Sequence, residues 1–368
     1  MEMEPFRGRY AKCREIMAQR ELDCVVVFPG TNMYYLTGFM EEPLERLLVA
    51  ILPRASEPVF IVPELYEKQV KTSTWITDVR AWKDTEDPGK LLNEVLRKLS
   101  LVEGKIALDT RMWARFFLMF LKGAPKAVYS DASEVIDGLR AVKSKEEIKI
   151  MEDSASIADR VIKKIMDACR LGSREKEIAS LIELEFRRRG VESIPFRPIV
   201  ASGPNGAFPH HKPGDRRFKR GDSVVLDLGA AYKGYCSDLT RTIFIERCGS
   251  KEREVYEVVR QAQQLAFESI AESVNAQIVD RAARTHIASK GYGEKFIHRT
   301  GHGIGLDVHE APYIWEGNTE ILKSRMTFSV EPGIYLPDRF GVRIEDIVVV
   351  EGTKARRLNK VSRELTVI

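Results

Sequence analysis

The sequence of 368 residues is 44% hydrophobic and 30% charged, the composition of a globular protein with enough apolar residues for about two domains. Its 58 basic and 54 acidic residues nearly balance, and its basic clusters lack interleaved aromatics, so no nucleic-acid partner is expected. No apolar run approaches the roughly 18 residues of a membrane span, so no membrane partner is expected either.

Cysteine usage and the first residues bear on the cellular compartment. The five cysteines are scattered without a Cys-x-x-Cys pair, which argues against a disulfide framework and favours a reducing compartment. The start of the chain also lacks the basic residues and apolar core of a signal peptide. We therefore expect a cytoplasmic protein.

The N-terminal third alternates between apolar runs typical of buried strands and stretches typical of amphipathic helices. Strands are predicted at residues 24–28, 47–52 and 59–62, and helices at residues 7–20, 89–99 and 112–121. This alternation predicts a small α/β domain, which we place at residues 1–135.

A second domain is expected at residues 136–368. It opens with a capping box, in which Ser144 and Glu147 begin a helix that runs to a glycine stop at Gly172. Ser173 is expected to cap the next helix, which ends near Gly190. Further helices are predicted at residues 251–274 and 280–290. Helices combined with a hairpin and final strands make an α+β domain.

Asp227 lies inside the apolar run Val-Val-Leu-Asp-Leu, where an unpaired carboxylate costs several kcal/mol or takes up a proton. Asp238 follows after residues 230–234, Ala-Ala-Tyr-Lys-Gly, which suit a hairpin connection. Two adjacent strands would therefore bring these carboxylates together. A lone acid in a strand is more often a satisfied structural group than a ligand, so a metal site requires further ligands nearby.

Two more acids lie beside strand-like runs, Glu331 after residues 326–330 and Glu345 before residues 347–350. Two charges about 4 Å apart repel by roughly 4 kcal/mol at an effective dielectric of about 20, so four clustered carboxylates cannot all stay ionised unaided. Two divalent metal ions would balance them. Oxygen ligands with one imidazole suit Mn, Co, Fe or Zn, and the ligand set alone does not choose among these metals.

Residues 298–305, His-Arg-Thr-Gly-His-Gly-Ile-Gly, offer the imidazole. The spacing of His298 and His302 occurs in zinc-binding helices, but three alternating glycines disfavour a helix. In an extended segment both imidazoles lie on one side, where one could bind metal and the other substrate. These glycines lack the Lys-Ser/Thr of a phosphate loop, which argues against nucleotide binding. His211, beside His210, is expected to face solvent, because adjacent strand residues point opposite ways.

A set of motifs gives the sequence a family resemblance. They are Pro209-His210, the hairpin from Asp227 to Asp238, His298-x-x-x-His302-Gly-Ile-Gly-Leu, Val308-His309-Glu310, Glu331-Pro332-Gly333-x-Tyr335 and Val342-Arg343-Ile344-Glu345-Asp346. In this order they resemble the proline-directed metallopeptidases, Xaa-Pro dipeptidase (prolidase) and aminopeptidase P, of the pita-bread (methionine aminopeptidase-like) superfamily. The resemblance implies an α+β fold, with a pita-bread (creatinase/aminopeptidase) catalytic domain preceded by a smaller α/β domain like the creatinase N-terminal domain.

The resemblance also implies a ligand set. Asp227 would bind one metal and His302 with Glu331 the other, while Asp238 and Glu345 would bridge both. A metal-bridging water or hydroxide would be the nucleophile, and Glu331 would accept its proton.

The remaining site residues follow from the same resemblance. The histidines expected to line the substrate pocket and contact the scissile carbonyl or the tetrahedral intermediate are His210, His298 and His309. Arg343, two residues before Glu345, would hold the metal-bound carboxylates in place. N-terminal domains of this kind help to form dimers, so a homodimer is expected.

The resulting hypothesis is an exopeptidase that removes one residue from a small peptide with proline at the second position. The imide bond lacks an N–H, so the enzyme must recognise the ring and stabilise the carbonyl. We favour an Xaa-Pro dipeptidase, and the alternative is an aminopeptidase P acting on Xaa-Pro-Yaa peptides. From other classes, a catalytically silent peptide-binding module and a metal-free creatinase-like hydrolase are disfavoured by the presence of all five ligands.

One position departs from the archaeal prolidase pattern. Those enzymes carry an arginine four residues after the position of His309, where it can bind the free carboxylate of a dipeptide. This chain has Tyr313 there. Either a nearby arginine such as Arg339 replaces it or longer peptides are accepted.

Overall fold

The computed structural model describes residues 3–42 and 44–368, which form two compact units, one ending at Arg140 and the other comprising Ala141–Ile368. Among the described residues, no helix is both long and apolar enough to cross a membrane.

The first unit is built on a six-stranded mixed sheet. Its helices are α1 (Glu4–Gln19), α2 (Thr31–Thr37), α3 (Glu64–Ser73), α4 (Pro88–Lys98), α5 (Ala114–Gly123) and α6 (Ser133–Ala141). Its strands are β1 (Cys24–Val27), β2 (Val49–Pro53), β3 (Val59–Pro63), β4 (Asp78–Trp82), β5 (Lys105–Leu108) and β6 (Val128–Asp131), arranged in the order β4-β3-β2-β1-β5-β6. Strands β1, β2 and β3 are wholly buried, which explains their continuous apolar runs.

The elements predicted in this unit are confirmed, with small differences at their ends. Helix α1 begins three residues earlier than expected because Pro5 occupies its first turn, where a missing N–H costs nothing. The domain division at residues 135 and 136 remains a proposal, and residue 135 lies within α6.

The second unit combines four long helices with two main sheets and two hairpins. Its helices are α7 (Lys145–Ala168), α8 (Glu175–Arg187), α9 (Ser250–Glu268) and α10 (Ala276–Ser289). Its strands are β7 (Ile199–Ser202), β8 (Ser223–Leu228), β9 (Ala231–Tyr232), β10 (Tyr235–Cys236), β11 (Leu239–Phe244), β12 (Gly301–Gly303), β13 (Glu310–Ile314), β14 (Thr327–Val330), β15 (Gly333–Leu336), β16 (Phe340–Arg343), β17 (Asp346–Glu351), β18 (Lys354–Arg357) and β19 (Thr366–Val367). The main sheets have the orders β19-β11-β8-β7 and β13-β12-β14-β17-β18.

This unit consists of two halves, each with a pair of helices packed on strands. Helices α7 and α8 pack their apolar faces on β7, β8 and β11 to form one core. Helices α9 and α10 pack on β14 and β17 to form the other. The sheets meet where the backbone N–H of Glu345 donates to Thr240 O at 3.1 Å and that of Arg343 donates to Thr242 Oγ1 at 3.1 Å.

The helix starts test the capping predictions. The capping box is confirmed, because the Ser144 side chain accepts from Glu147 N and the Glu147 carboxylate accepts from Ser144 N. The predicted cap of α8 was wrong, since Arg174 and not Ser173 precedes that helix. Ser173 Oγ instead accepts from Arg170 N at 3.2 Å, which closes the turn after α7.

Candidate metal centre and pocket

The carboxylates predicted as ligands lie where the two halves meet. In the first half, Asp227 on β8 pairs with Thr240 on β11, and Asp238 immediately precedes β11. In the second half, Glu331 follows β14 and Glu345 lies between β16 and β17. Each acid therefore stands at or near a strand end.

The five predicted ligands converge at this junction. One ligand atom each from Asp238, His302 and Glu345 lies within 4.8 Å of the other two, and all three residues are buried. His302 Nε2 lies 3.3 Å from Glu331 Oε1 and 3.8 Å from Asp238 Oδ2. The guanidinium of Arg343 donates to the carboxylate of Asp227 at the same junction.

Three carboxylate oxygens in this cluster are buried without a hydrogen-bond partner. They are Asp227 Oδ1, Asp238 Oδ1 and Glu345 Oε1. A buried acceptor without a donor costs about 1–3 kcal/mol, and more when it is charged. Divalent cations would satisfy all three oxygens and offset the mutual repulsion, so the residues present fit the metal pair that the sequence predicted.

The titration behaviour of the acids agrees with a cation site. Burial, with Glu345 and Asp227 close by, raises the pKa of Asp238 well above its usual range. Burial together with Glu331 and Asp227 does the same to the pKa of Glu345. Burial and the charge of Asp227 raise the pKa of Glu331 to about 7, although Arg343 opposes this shift.

Chelator-treated protein is expected to be less stable near pH 7.5 than near pH 5.5. A carboxyl whose pKa is raised on folding holds more protons in the native state, so its contribution to stability is lost as pH rises from its ordinary pKa to its folded one. For Glu331 this window runs from 4.5 to about 7. Thermal unfolding with and without added Mn²⁺ at both pH values measures the effect, and equal stability of the chelated protein at both would contradict it.

His302 presents a neutral imidazole to the acids. Burial lowers its pKa to about 3. Its Nδ1–H donates to the backbone oxygen of Gly303 at 3.2 Å, which leaves the Nε2 lone pair directed toward Glu331. The extended backbone predicted for this segment is confirmed by β12. Glycine is required at positions 301 and 303, because a Cβ there would overlap the backbone of a neighbouring strand.

Arg343 connects the acids to the rest of the site. It is 3% exposed, and it donates to Thr240 Oγ1 at 3.2 Å, to Tyr335 Oη at 2.9 Å and to the Asp227 carboxylate. Thr240 Oγ1 in turn donates to Glu345 Oε2 at 2.7 Å. Arg343 thus contacts the Asp227 carboxylate directly and that of Glu345 through Thr240, a partner that no sequence pattern indicated.

His298 is held by hydrogen bonds at both ring nitrogens. Its Nδ1–H donates to Arg299 O at 2.7 Å, and its Nε2 accepts from Tyr335 Oη at 2.8 Å. Burial, with Arg343 nearby, lowers the pKa of His298 to about 4, so the ring is neutral. Tyr335 therefore links Arg343 to His298.

A pocket of about 1110 Å³ opens over the five predicted ligands. All the predicted histidines line it, with His210 and His309 exposed to its interior and the ring centroid of His309 4.1 Å from that of His302. Apolar side chains that line it and remain exposed are Phe208, Ile297, Tyr313 and Trp315.

Two expectations about polar pocket residues are corrected. His211 does not face solvent, because residues 208–211 form turns and not a strand, and its ring reaches the buried carboxylate of Glu175 at 2.8 Å. Among described residues that line the pocket, the arginine beside Tyr313 is Arg299 and not Arg339. The guanidinium carbon of Arg299 lies 4.5 Å from the centroid of the Tyr313 ring. Its position between His298 and His302 could have indicated it.

Known proteins resemble this chain over its whole length. Residues 149–352 match metallopeptidase family M24, and residues 9–142 match the creatinase/prolidase N-terminal domain. The chain belongs to metallopeptidase family M24, and the resemblance and fold class predicted from the sequence are confirmed.

Individual relatives cover nearly all of the chain. It is 34% identical over 363 residues to an Xaa-Pro dipeptidase of Pyrococcus horikoshii, which spans 99% of this chain and 100% of that one. Its structure matches the prolidase of Thermococcus sibiricus with a TM-score of 0.95 and 41% identity over 100% of both chains. It also matches an X-Pro aminopeptidase of Thermotoga maritima with a TM-score of 0.82 and 32% identity, covering 95% and 99% of the two chains.

Proposed function

We propose that this protein is an Xaa-Pro dipeptidase that cleaves the bond between an N-terminal residue and a following proline. The observation that carries the proposal is the set of three buried carboxylate oxygens without hydrogen-bond partners, beside His302 and below a pocket lined by further histidines. The names of full-length relatives support the same reaction.

Two divalent cations would be held by the five converging side chains. Asp227 would hold one cation, His302 and Glu331 the other, and Asp238 and Glu345 both. Bound there, such a pair supplies Lewis acidity and lowers the pKa of a water molecule to near neutrality. Mn or Co are proposed as the metals, with Zn or Fe as alternatives, and the oxygen-rich set with one imidazole suits all four.

Glu331 is proposed as the proton acceptor and donor. Its carboxylate lies 3.3 Å from His302 Nε2 and lines the pocket, so it can accept a proton from a molecule bound there. His210 and His309, which are exposed in the pocket, are proposed to hold the substrate carbonyl. His298 would contact substrate only by giving up its hydrogen bond with Tyr335.

Arg299 is proposed to bind the free carboxylate of the dipeptide. It lines the pocket and lies over the ring of Tyr313, which occupies the position where archaeal prolidases carry an arginine. Its guanidinium would supply that charge from the segment just before β12. Arg339 lies outside the pocket lining and is withdrawn from this role.

Arg299→Leu is expected to raise KM for an Xaa-Pro dipeptide by about 10-fold or more with little change in kcat, because it removes uniform binding of the carboxylate. Steady-state kinetics with Xaa-Pro and with its C-terminal amide measure this. The amide, which has no carboxylate, should show a small change only, and an equal rise in KM for both substrates would refute the assignment. Arg339→Leu is the matched control.

The reaction itself is tested with chelated protein to which Mn, Co or Zn is restored. Hydrolysis of Xaa-Pro without hydrolysis of Xaa-Pro-Yaa supports a dipeptidase. Hydrolysis of Xaa-Pro-Yaa instead supports an aminopeptidase P, an alternative favoured by the similarity to the Thermotoga maritima structure. No hydrolysis with any metal supports a silent peptide-binding module and overturns the proposal.

The remaining proposals rest on the family resemblance for the homodimer, on cysteine usage for the compartment and on the pattern of elements for the domain division. A homodimer and a cytoplasmic location are kept as proposals, and light scattering on the purified protein tests the first. The division into an N-terminal domain of residues 1–135 and a catalytic domain of residues 136–368 is kept in the same way.

A further inference from the structure

The carboxylate of Glu175, at the first position of α8, is completely buried and accepts several hydrogen bonds. Its Oε1 accepts from Ser202 N at 2.9 Å, Ser202 Oγ at 2.7 Å and Asn205 Nδ2 at 2.9 Å. Its Oε2 accepts from His211 Nε2 at 2.8 Å and Gly214 N at 3.2 Å. One side chain therefore holds both ends of the segment from Ser202 to Gly214.

That segment carries His210 to the pocket. It leaves β7, makes a short 3-10 turn over Gly203–Ala207 and reaches the pocket at Phe208 and His210. On one side of His210, the backbone oxygen of Pro209 accepts from Arg343 Nη1 at 3.2 Å. On its other side, the His211 ring is bound to Glu175. Both chain neighbours of His210 are thus anchored.

The His210 side chain depends on these anchors. No described residue forms a hydrogen bond with its imidazole, and the residue is exposed in the pocket. Its position is therefore set by its backbone.

We propose that Glu175 and His211 are a positioning pair that fixes His210 against the substrate. The inference rests on the proposed function, in which His210 holds the substrate carbonyl. Neither Glu175 nor the Glu175–His211 hydrogen bond touches the five metal-ligand candidates, so the pair acts through the backbone of His210.

The chemistry of the pair determines that His211 donates the hydrogen bond and Glu175 accepts it. An ionised carboxylate only accepts hydrogen bonds, so His211 must carry its proton on Nε2. Burial alone would raise the pKa of Glu175, but the hydrogen bonds from Ser202, Asn205 and His211 outweigh burial and lower it. The carboxylate therefore stays ionised, and the His211 tautomer is set.

Glu175→Gln is a sharp test because each carboxylate oxygen accepts from one backbone N–H, that of Ser202 or that of Gly214. Whichever way the amide is turned, its NH₂ group meets a backbone donor, so one end of the segment must move. Glu185→Gln is the matched control. Glu185 lies on the same helix and is 1% exposed, and its carboxylate pairs, among the described residues, with the basic side chains of Lys164, Arg188 and Arg189, which do not line the pocket.

Kinetics on the metal-loaded full chain give the first readout. Glu175→Gln should lower kcat for an Xaa-Pro dipeptide by about 10- to 100-fold with KM changed less than about threefold, because small displacements of a group that acts on the reacting carbonyl cost rate. Glu185→Gln should keep kcat within about twofold of the wild type. In a His210→Asn background, adding Glu175→Gln should lower kcat by less than about a further twofold, because the imidazole that Glu175 positions is absent.

His211 supplies a second pair of variants in case Glu175→Gln does not fold. His211→Gln keeps an amide donor near the position of Nε2 and should remain close to the wild type in kcat. His211→Leu loses that donor but leaves the contacts of Glu175 with Ser202, Asn205 and Gly214, and it should lower kcat as Glu175→Gln does. Equal kcat values for the two His211 variants would overturn the proposal.

A readout that needs no activity separates this inference from the proposed function. The chain has 6 histidines, so ring-labelled histidine in the zinc-loaded protein gives a spectrum in which the His210 signal is identified by its loss in His210→Asn. That signal should shift in Glu175→Gln and not in Glu185→Gln. An unchanged His210 signal, wild-type kcat in Glu175→Gln, or full additivity with His210→Asn would overturn the positioning role. If the wild type cleaves no Xaa-Pro peptide, the proposed function fails, and the His210 signal alone decides the positioning role.

Discussion

Asp238→Asn is expected to lower kcat by more than about 100-fold, since removing even a hydrogen-bond partner of a metal ligand typically costs about 10- to 100-fold. Asp238 would contribute to both proposed cations, and it lies beside His302 and Glu345 with one buried oxygen without a partner. An amide in its place removes a negative charge and turns a donor toward the cations. The loss should appear in metal content as well as in rate.

The measurement is kcat together with metal-to-protein ratio by atomic emission. Asp159→Asn is the matched control, because Asp159 is also a buried acid of the second unit but has both oxygens bonded, by Asn359 Nδ2 and Lys360 N. The control variant should lose stability and keep its metal. Wild-type kcat in Asp238→Asn would rule out the dinuclear site.

Arg343→Met is expected to lower the free energy of unfolding by about 3–5 kcal/mol, the usual cost of removing one partner from a buried ion pair. The guanidinium is the cation in contact with Asp227, and it also supports Tyr335 and the backbone oxygen of Pro209. Without it, the Asp227 carboxyl group loses its buried cationic partner. Because Met fills a similar volume, the lost free energy of unfolding reflects the missing charge and hydrogen bonds more than a packing defect.

Denaturant unfolding of the chelated protein measures this effect. Arg356→Met is the control, because Arg356 pairs with Glu152 and Glu351 at the surface, where such pairs contribute about 1 kcal/mol or less. Saturating metal should restore part of the stability of Arg343→Met, since cations replace the missing positive charge. A loss below about 1 kcal/mol in Arg343→Met would show that Arg343 does not balance the carboxylates.

The acids of the candidate site could be found from the sequence because each lies within or beside a strand-like run. Asp227 is flanked by apolar residues of a buried strand, so a single charged residue there is conspicuous in the sequence. Strand pairing alone predicts that Asp227 and Asp238 come together, because the short connection between their strands makes those strands adjacent. The meeting of these acids with Glu345 depends on contact between two sheets, which no local pattern encodes.

Residues that act through hydrogen bonds were harder to find. Thr240 lies in an ordinary strand and Glu175 in an ordinary first turn of a helix, where acids are common for reasons of the helix dipole. Nothing local distinguishes them from surface groups. His211 was misjudged because the rule of alternating side chains applies to strands, and this segment turns.

The division of the predicted ligands between the two halves has a consequence for cooperativity. Asp227 and Asp238 come from the half built on α7 and α8, whereas His302, Glu331 and Glu345 come from the half built on α9 and α10. A bound cation would thus cross-link the two cores. Its binding free energy would add to the free energy needed to unfold both cores together. Chelation would then turn one unfolding transition into two, and the calorimetric width of the transition would report metal occupancy without any substrate.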